Sequence, residues 1–202
     1  ERFHQRFNVD VRTESEVTAV DTAGKTVTVR HGEETYKESY DRLVLSPGAA
    51  PIRPAIPGIE ENKVFTLRNI PDTYRIYDHI KETAPRSCAV IGAGFIGLEM
   101  AENLAERGVH VTVVEGASHV MPPIDMDMAH QVHNYIRAQG IDLYLGQTCT
   151  AMDKDGVILK DGRKIPADMV ILSIGVRPDT GFLKDSGIEL GARGEILVNS
   201  YM

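Results

Sequence analysis

Gly92-Ala93-Gly94-Phe95-Ile96-Gly97 has the spacing GxGxxG, directly after the apolar run Cys88-Ala89-Val90-Ile91 and directly before a stretch of good helix formers. In a strand–turn–helix setting each glycine has a physical task. Gly92 permits a tight turn out of the strand. Gly94, without a Cβ, lets a pyrophosphate approach the backbone, and Gly97 lets the helix pack close to the strand. Unpaired N–H groups and the macrodipole at the helix N-terminus then favour the phosphates. Phe95 and Ile96 lie inside the same loop. Glu115 stands 18 residues after Gly97, at the end of the next apolar run, His110-Val111-Thr112-Val113-Val114. A carboxylate there accepts both hydroxyls of an adenosine ribose. It repels a 2′-phosphate by roughly 4 kcal/mol for one unit pair ~4 Å apart at an effective dielectric of ~20. Gly116-Ala117-Ser118 offer no cation to offset that repulsion. The expected cofactor is NAD(H), with NADH preferred over NADPH.

Other reactive side chains carry less. Cys88 and Cys149 are 61 positions apart, each in or beside apolar strand-like text and without a CxxC or CxxxxC partner. Burial raises a thiol's pKa, so both read as structural. His130 and His133 share a helix face at i, i+3, a spacing open to a metal. No cysteine or third histidine stands nearby in sequence, so they read as a solvated pair and no metal site is expected. His119 has no visible base or nucleophile partner. A Gly-x-Ser-x-Gly elbow is absent, and no glycine-rich loop is followed by Lys-Ser/Thr, which excludes a serine hydrolase of that type and a P-loop.

The elements that must position these residues follow from hydrophobic periodicity. Residues 9–13, 17–21 and 26–30 alternate apolar and polar, and residues 40–45 form a short apolar strand stopped by Ser46-Pro47-Gly48. Residues 49–62 are rich in proline and aperiodic, a linker or domain crossing. Ile70, Tyr74, Ile76, Tyr77 and Ile80 fit a helical stripe that Pro85 terminates. Strand 88–91, helix 98–107 with Gly108 just past its end, and strand 110–114 come next. A helix capped by Asp125 turns Ala129, Val132 and Ile136 inward and ends at Gly140. Strand 141–145, two hairpin signals at Asp155-Gly156 and Asp161-Gly162, and buried strand 169–172 complete the set. The fold class is α/β: a right-handed, doubly wound parallel sheet with an antiparallel β-meander before its last strand, preceded by a β-rich segment.

With 202 residues, 42% of them hydrophobic, the chain is long enough for one large or two small cores. A net charge of −7, from 22 Lys+Arg against 29 Asp+Glu, argues against nucleic acid or an anionic membrane as partner. No stretch approaches 18 apolar residues, and no charged-then-apolar leader is present. Two cysteines fit a reducing cytoplasm better than a secreted scaffold.

Three segments together resemble the flavoprotein disulfide reductases, the pyridine nucleotide-disulfide oxidoreductase family. Tyr40-Asp41-Arg42-Leu43-Val44-Leu45-Ser46-Pro47-Gly48-Ala49-Ala50-Pro51 is similar to their strand and turn closing the first half of the flavin domain. Val90 through Glu99 is similar to their NAD fingerprint. Ile171-Leu172-Ser173-Ile174-Gly175-Val176-Arg177-Pro178-Asp179-Thr180 is similar to their return crossing. Ser46 and Pro47 before Gly48, with the segment Met121-Pro122-Pro123-Ile124-Asp125-Met126-Asp127-Met128-Ala129, most resemble the coenzyme A-disulfide reductase branch, which includes rhodanese-fused persulfide reductases.

The resemblance implies a Rossmann-like NAD domain over 61–180, a partial FAD-domain segment over 1–60 and a return segment over 181–202. It implies hydride transfer from NADH to FAD and on to a disulfide, persulfide or peroxide, in a homodimeric parent. By the same resemblance Phe95 covers the flavin until nicotinamide displaces it, Glu99 lies near the nicotinamide and Gly175 near the bound cofactor. Ser46 and Gly48 touch FAD, and Arg12 meets a coenzyme A phosphate. The family's N-terminal flavin GxGxxG, redox cysteine segment, late flavin-binding Gly-Asp segment and dimerisation domain have no counterpart in these 202 residues. The chain therefore reads as a cut length, without turnover by itself. Two other readings share the NAD fingerprint: a reductase serving a ferredoxin or rubredoxin, and a non-catalytic NADH-binding module.

Overall fold

Continuous apolar runs and alternating ones fold into different sheets. In a computed structural model describing residues 2–60 and 63–202, the elements in order are α1 (Arg2–Phe7), β1 (Ser15–Asp21), β2 (Thr26–His31), β3 (Glu34–Ser39), β4 (Ala49–Pro51), β5 (Val64–Thr66) and α2 (Ile70–Thr83). Then follow β6 (Ser87–Ile91), α3 (Phe95–Glu106), β7 (His110–Glu115), α4 (Met126–Ala138) and β8 (Asp142–Leu145). The last are β9 (Cys149–Asp153), β10 (Gly156–Leu159), β11 (Lys164–Pro166), β12 (Met169–Leu172), β13 (Val176–Pro178) and a 3₁₀ turn, Gly181–Leu183. The chain divides into a unit of Ala50–Val176 and a unit made of the residues up to Ala49 with Arg177–Met202. The sequence reading puts its boundaries at 60/61 and 180/181; residues 61 and 62 lie outside the described residues.

The larger unit is built on a five-stranded parallel sheet of order β5-β12-β6-β7-β8. Val90 of β6 pairs with Ile171 of β12 and Val113 of β7, and all three are fully buried. Burying such a side chain contributes about 1.5–3 kcal/mol. Side chains alternate between faces along a strand, and the two faces are covered differently. Val90, Val113 and Ile171 share a core with Ile76 of α2, Leu104 of α3 and Ile136 of α4. Ala89, Ile91, Val170 and Leu172 pack on Met152, Val157, Leu159 and Ile165 of the antiparallel β9-β10-β11 meander. Both faces are thus dry, as the uninterrupted apolar text of β6 and β12 requires. Asn69 and Asp72 cap α2 reciprocally, a capping box, and Ala84 ends it in the left-handed conformation. Among the described residues no helix is long and apolar enough to cross a membrane.

The other unit carries the antiparallel sheet β1-β2-β3, with Val20 and Val29 buried. Two segments read as strands are not strands. Residues 9–13 lie outside regular structure, and Val9 and Val11 are exposed. Residues 40–45 are irregular, with Val44 90% exposed. Apolar or alternating text describes a face to be buried, but a strand also needs a neighbour to take up its backbone groups; among the described residues neither segment forms a ladder, and only Tyr40 N–H reaches another segment's backbone, Lys25 O at 3.0 Å. Conversely, β3 is mostly polar and exposed, and its ladder with β2 forms it without an apolar signal. The stripe on α2 is also narrower than its sequence: Ile76 is buried and Ile80 half-buried, whereas Ile70, Tyr74 and Tyr77 are exposed.

Candidate nucleotide-binding site

The carboxyl ends of β6, β7 and β12 open into a cleft of about 560 Å³, lined by Gly92, Gly94, Glu115, Cys149, Ser173 and Gly175 among others. β6 is the first strand of the βαβαβ run: its successors lie to one side, and β12 lies to the other. The chain therefore changes direction across the sheet beside β6, where open α/β sheets bind ligands.

The three glycines do three different things. Gly92 has φ +101°, and a Cβ there would sit 2.4 Å from Ser173 O, so neither the turn nor the contact admits a side chain. A Cβ on Gly97 would meet Gly92 O at 2.1 Å and Ser173 Oγ at 2.5 Å; α3 rests directly on the loop that starts it. Gly94 is the N-cap of α3 and brings no capping side chain, and a Cβ built on it would meet nothing within 4 Å. Open space stands where a ligand would pass, and the first-turn N–H groups of α3, which have no intrahelical acceptors, are left to it.

Glu115 is held from both oxygens. Ala93 N–H donates to Oε2 and Ala117 N–H to Oε1, each at 2.7 Å. The carboxylate thereby links the glycine loop to the segment after β7 while keeping lone pairs for further donors, since each oxygen accepts more than one. Ser173, at the end of β12, donates its hydroxyl to Ile91 O and Gly92 O and ties β12 to the turn. Sequence reasoning gave Ser173 no role: a serine after an apolar strand carries no signal of its own. Nor did it foresee Cys149 in the cleft wall, a position set by the bend from β8 into β9.

The remaining expected residues lie elsewhere. Phe95 (64% exposed), Ile96 and Glu99 line a separate groove of about 440 Å³ between α2 and α3, beside Tyr77, Ile80 and Met100. Ser46 lines a groove of the other unit with Val44, Pro47 and Phe182. Gly48 has φ +75°, and its carbonyl accepts from Asp179 N–H at 3.1 Å. Arg12 is already engaged: Glu38 at 2.7 Å and Asp10 at 3.2 Å accept from it, and these bonds raise its pKa further. Cys88 is fully buried, and desolvation pushes its thiol up to about 12; burial raises Cys149 as well. The reading of His130 and His133 as a solvated pair is corrected. His130 is exposed, but His133 is buried and its Nε2 accepts from Val120 N–H at 3.2 Å. The residues from 116 to 125 fold back over α4, which i, i+3 spacing alone does not reveal.

Comparisons with known proteins give the family. The profile of the pyridine nucleotide-disulphide oxidoreductase family matches residues 2–202. A coenzyme A disulfide reductase of Staphylococcus aureus strain N315 is 36% identical over 201 residues, covering 98% of this chain and 45% of that protein. The crystal structure of reduced CoADR-RHD from Bacillus anthracis superposes with TM-score 0.91 at 49% identity, covering 96% of this chain and 36% of that one. An NAD-dependent persulfide reductase from A. fulgidus gives TM-score 0.93 at 34% identity over 99% of this chain and 38% of that one. The chain spans less than half the length of each of these relatives. With the family profile matched along nearly all of its length, this chain belongs to the pyridine nucleotide-disulphide oxidoreductases.

Proposed function

We propose that the chain is the NADH-binding portion of an FAD-dependent reductase whose electrons go to a small disulfide such as coenzyme A disulfide, to a persulfide or to a peroxide. The observation that carries this reading is the open approach at Gly94, beneath which the uncapped end of α3 and the Glu115 carboxylate face one cleft. In this reading the pyrophosphate binds at the first turn of α3, and Glu115 accepts the ribose hydroxyls. The same carboxylate excludes a 2′-phosphate, which makes NADH the donor. Gly175, with φ +108° and a cleft position, leaves room for the cofactor. NADH supplies a hydride and FAD accepts it. Phe95, the first residue of α3, and Glu99, one turn further along it, are both exposed and serve that transfer: the phenyl ring shields the flavin, and the carboxylate lies near the nicotinamide. Ser46 and Gly48 contact FAD. Arg12, with its acidic partners, is a site for coenzyme A phosphate only if that phosphate displaces Glu38.

Stopped-flow reduction of the flavin by NADH in the complete enzyme tests the reading. Phe95→Ala and Glu99→Ala are expected to slow the reductive half-reaction, and unchanged rates would reject their roles. Arg12→Ala is expected to raise the KM for coenzyme A disulfide. An unchanged KM would remove that substrate contact.

A further inference from the structure

Among the residues of α4, His133 is a polar side chain in a buried position, 3% exposed between the turns that carry Ala129 and Ile136. Its Nε2 accepts from Val120 N–H, which fixes the imidazole as neutral with its proton on Nδ1. Val120 is itself fully buried. The next residue, Met121, has φ +50°, unfavourable for a side chain, and donates its N–H to Ala93 O at 2.8 Å. Ala93 N–H in turn donates to Glu115 Oε2. Hydrogen bonds therefore run from His133, through the backbone of 120–121 and the glycine loop, to the carboxylate expected to meet the ribose.

We infer that His133 is a positioning residue for the dinucleotide site: its neutral imidazole holds the segment after β7 against the glycine loop, so that nucleotide affinity falls when His133 is protonated. The inference rests on reading Gly92, Gly94 and Glu115 as that site. Protonation would place an N–H on Nε2 against the Val120 N–H, two donors face to face in a dry setting, and the 120–121 backbone would have to move. The surroundings offer a proton no compensation. His130 stands edge-on at 5.6 Å between ring centroids, and Arg137 on the same helix and His119 on the preceding segment add positive charge. Of the acids on neighbouring elements, Glu102 of α3 is engaged by Tyr135 and Asp142 of β8 by His110, and the charges that act on His133 are all basic. Burial first, then these basic neighbours, lowers the His133 pKa below its usual 6.5.

The test follows the NADH Kd of the full chain from pH 8 to pH 5, together with the amide resonances of Val120 and Ala93. Affinity is expected to fall about tenfold, the scale of one lost buried hydrogen bond, with both amides moving at the midpoint of the His133 ring. In His133→Gln the amide oxygen can accept from Val120 without titrating, so binding should be rescued and the profile flattened. His133→Leu should bind weakly at every pH. Other titrating groups are common to all three proteins, so the difference between profiles isolates position 133. NADH binding at pH 8 with Ala93 indifferent to His133, or a His133→Gln profile as steep as the parent's, overturns the inference and leaves the site reading intact. No NADH binding at pH 8 with Ala93 still following His133 refutes the site reading and upholds the hold of His133 on the loop.

Discussion

A methyl group added at Gly97 and one added at Gly94 should have different consequences, although the glycines are three residues apart, one in the first turn of α3 and the other its N-cap. At Gly97 the new Cβ would lie 2.1 Å from Gly92 O, and ordinary contact begins at 3.4 Å. The neighbour is backbone, so α3 must lift off β6 or the turn must deform. Overpacking of this kind costs about 1–3 kcal/mol. For a chain of this size each kcal/mol lowers Tm by about 2–4 °C, so Gly97→Ala should melt roughly 4–8 °C earlier for a cost near 2 kcal/mol. At Gly94 the Cβ meets nothing within 4 Å, and the backbone, φ −78° and ψ −175°, is one any residue adopts. Gly94→Ala should keep its Tm and instead weaken NADH, because the methyl would stand in the open space proposed for the pyrophosphate. Thermal melts and NADH titrations of both variants decide the matter. Equal losses of Tm would show that Gly94 is a packing glycine too. An unchanged Tm in Gly97→Ala would refute the close helix–strand contact.

Further expectations are specific. Glu115→Ala removes the acceptor of Ala93 and Ala117 together with the proposed ribose contact. NADH affinity should fall about 10- to 100-fold, on the scale of one or two hydrogen bonds to a charged group, with NADPH less affected; equal losses for both nucleotides would argue against a ribose contact. Burial lowers the pKa of His79 and of His133. In both cases the unfolded chain binds more protons between the depressed value and 6.5, so stability is complete above 6.5 and is lost as pH falls through the folded values. Urea midpoints should therefore be lower at pH 5.5 than at 7.5, and a flat comparison would contradict both assignments. Cys88, buried with its thiol near 12, should resist a thiol reagent at pH 8 until the chain unfolds. Rapid labelling in the native state would show that β6 opens.

The glycine loop and the parallel sheet were legible because their signals are local. The run from Cys88 to Ile91 announces a strand buried on both faces, and three glycines before helix formers announce the turn. Glu115 could be found because strand spacing in a βαβ unit is nearly fixed. What stayed hidden depended on contacts distant in sequence. Ser173 ties β12 to the turn 81 positions away, and Cys149 reaches the cleft only through the bend from β8. His133 looked solvated because its partner, the Val120 amide, lies on a segment whose path helical periodicity does not specify. Residues 9–13 have the alternation of a strand and residues 40–45 the apolar text of one, and neither pairs into a ladder. In α2, three of the five stripe residues remain exposed, so amphipathic text marked the helix but not the extent of its buried face.

In the proposed function the cleft recognises NADH through Glu115 and an uncapped helix N-terminus. Parallel titrations of the chain with NADH and NADPH at pH 7.5, in the same low-salt buffer, decide whether it does. NADH should bind and NADPH should bind at least about tenfold more weakly, a conservative share of the roughly 4 kcal/mol repulsion between a phosphate charge and a carboxylate in partly screened surroundings. Equal or tighter binding of NADPH would rule out ribose recognition by Glu115.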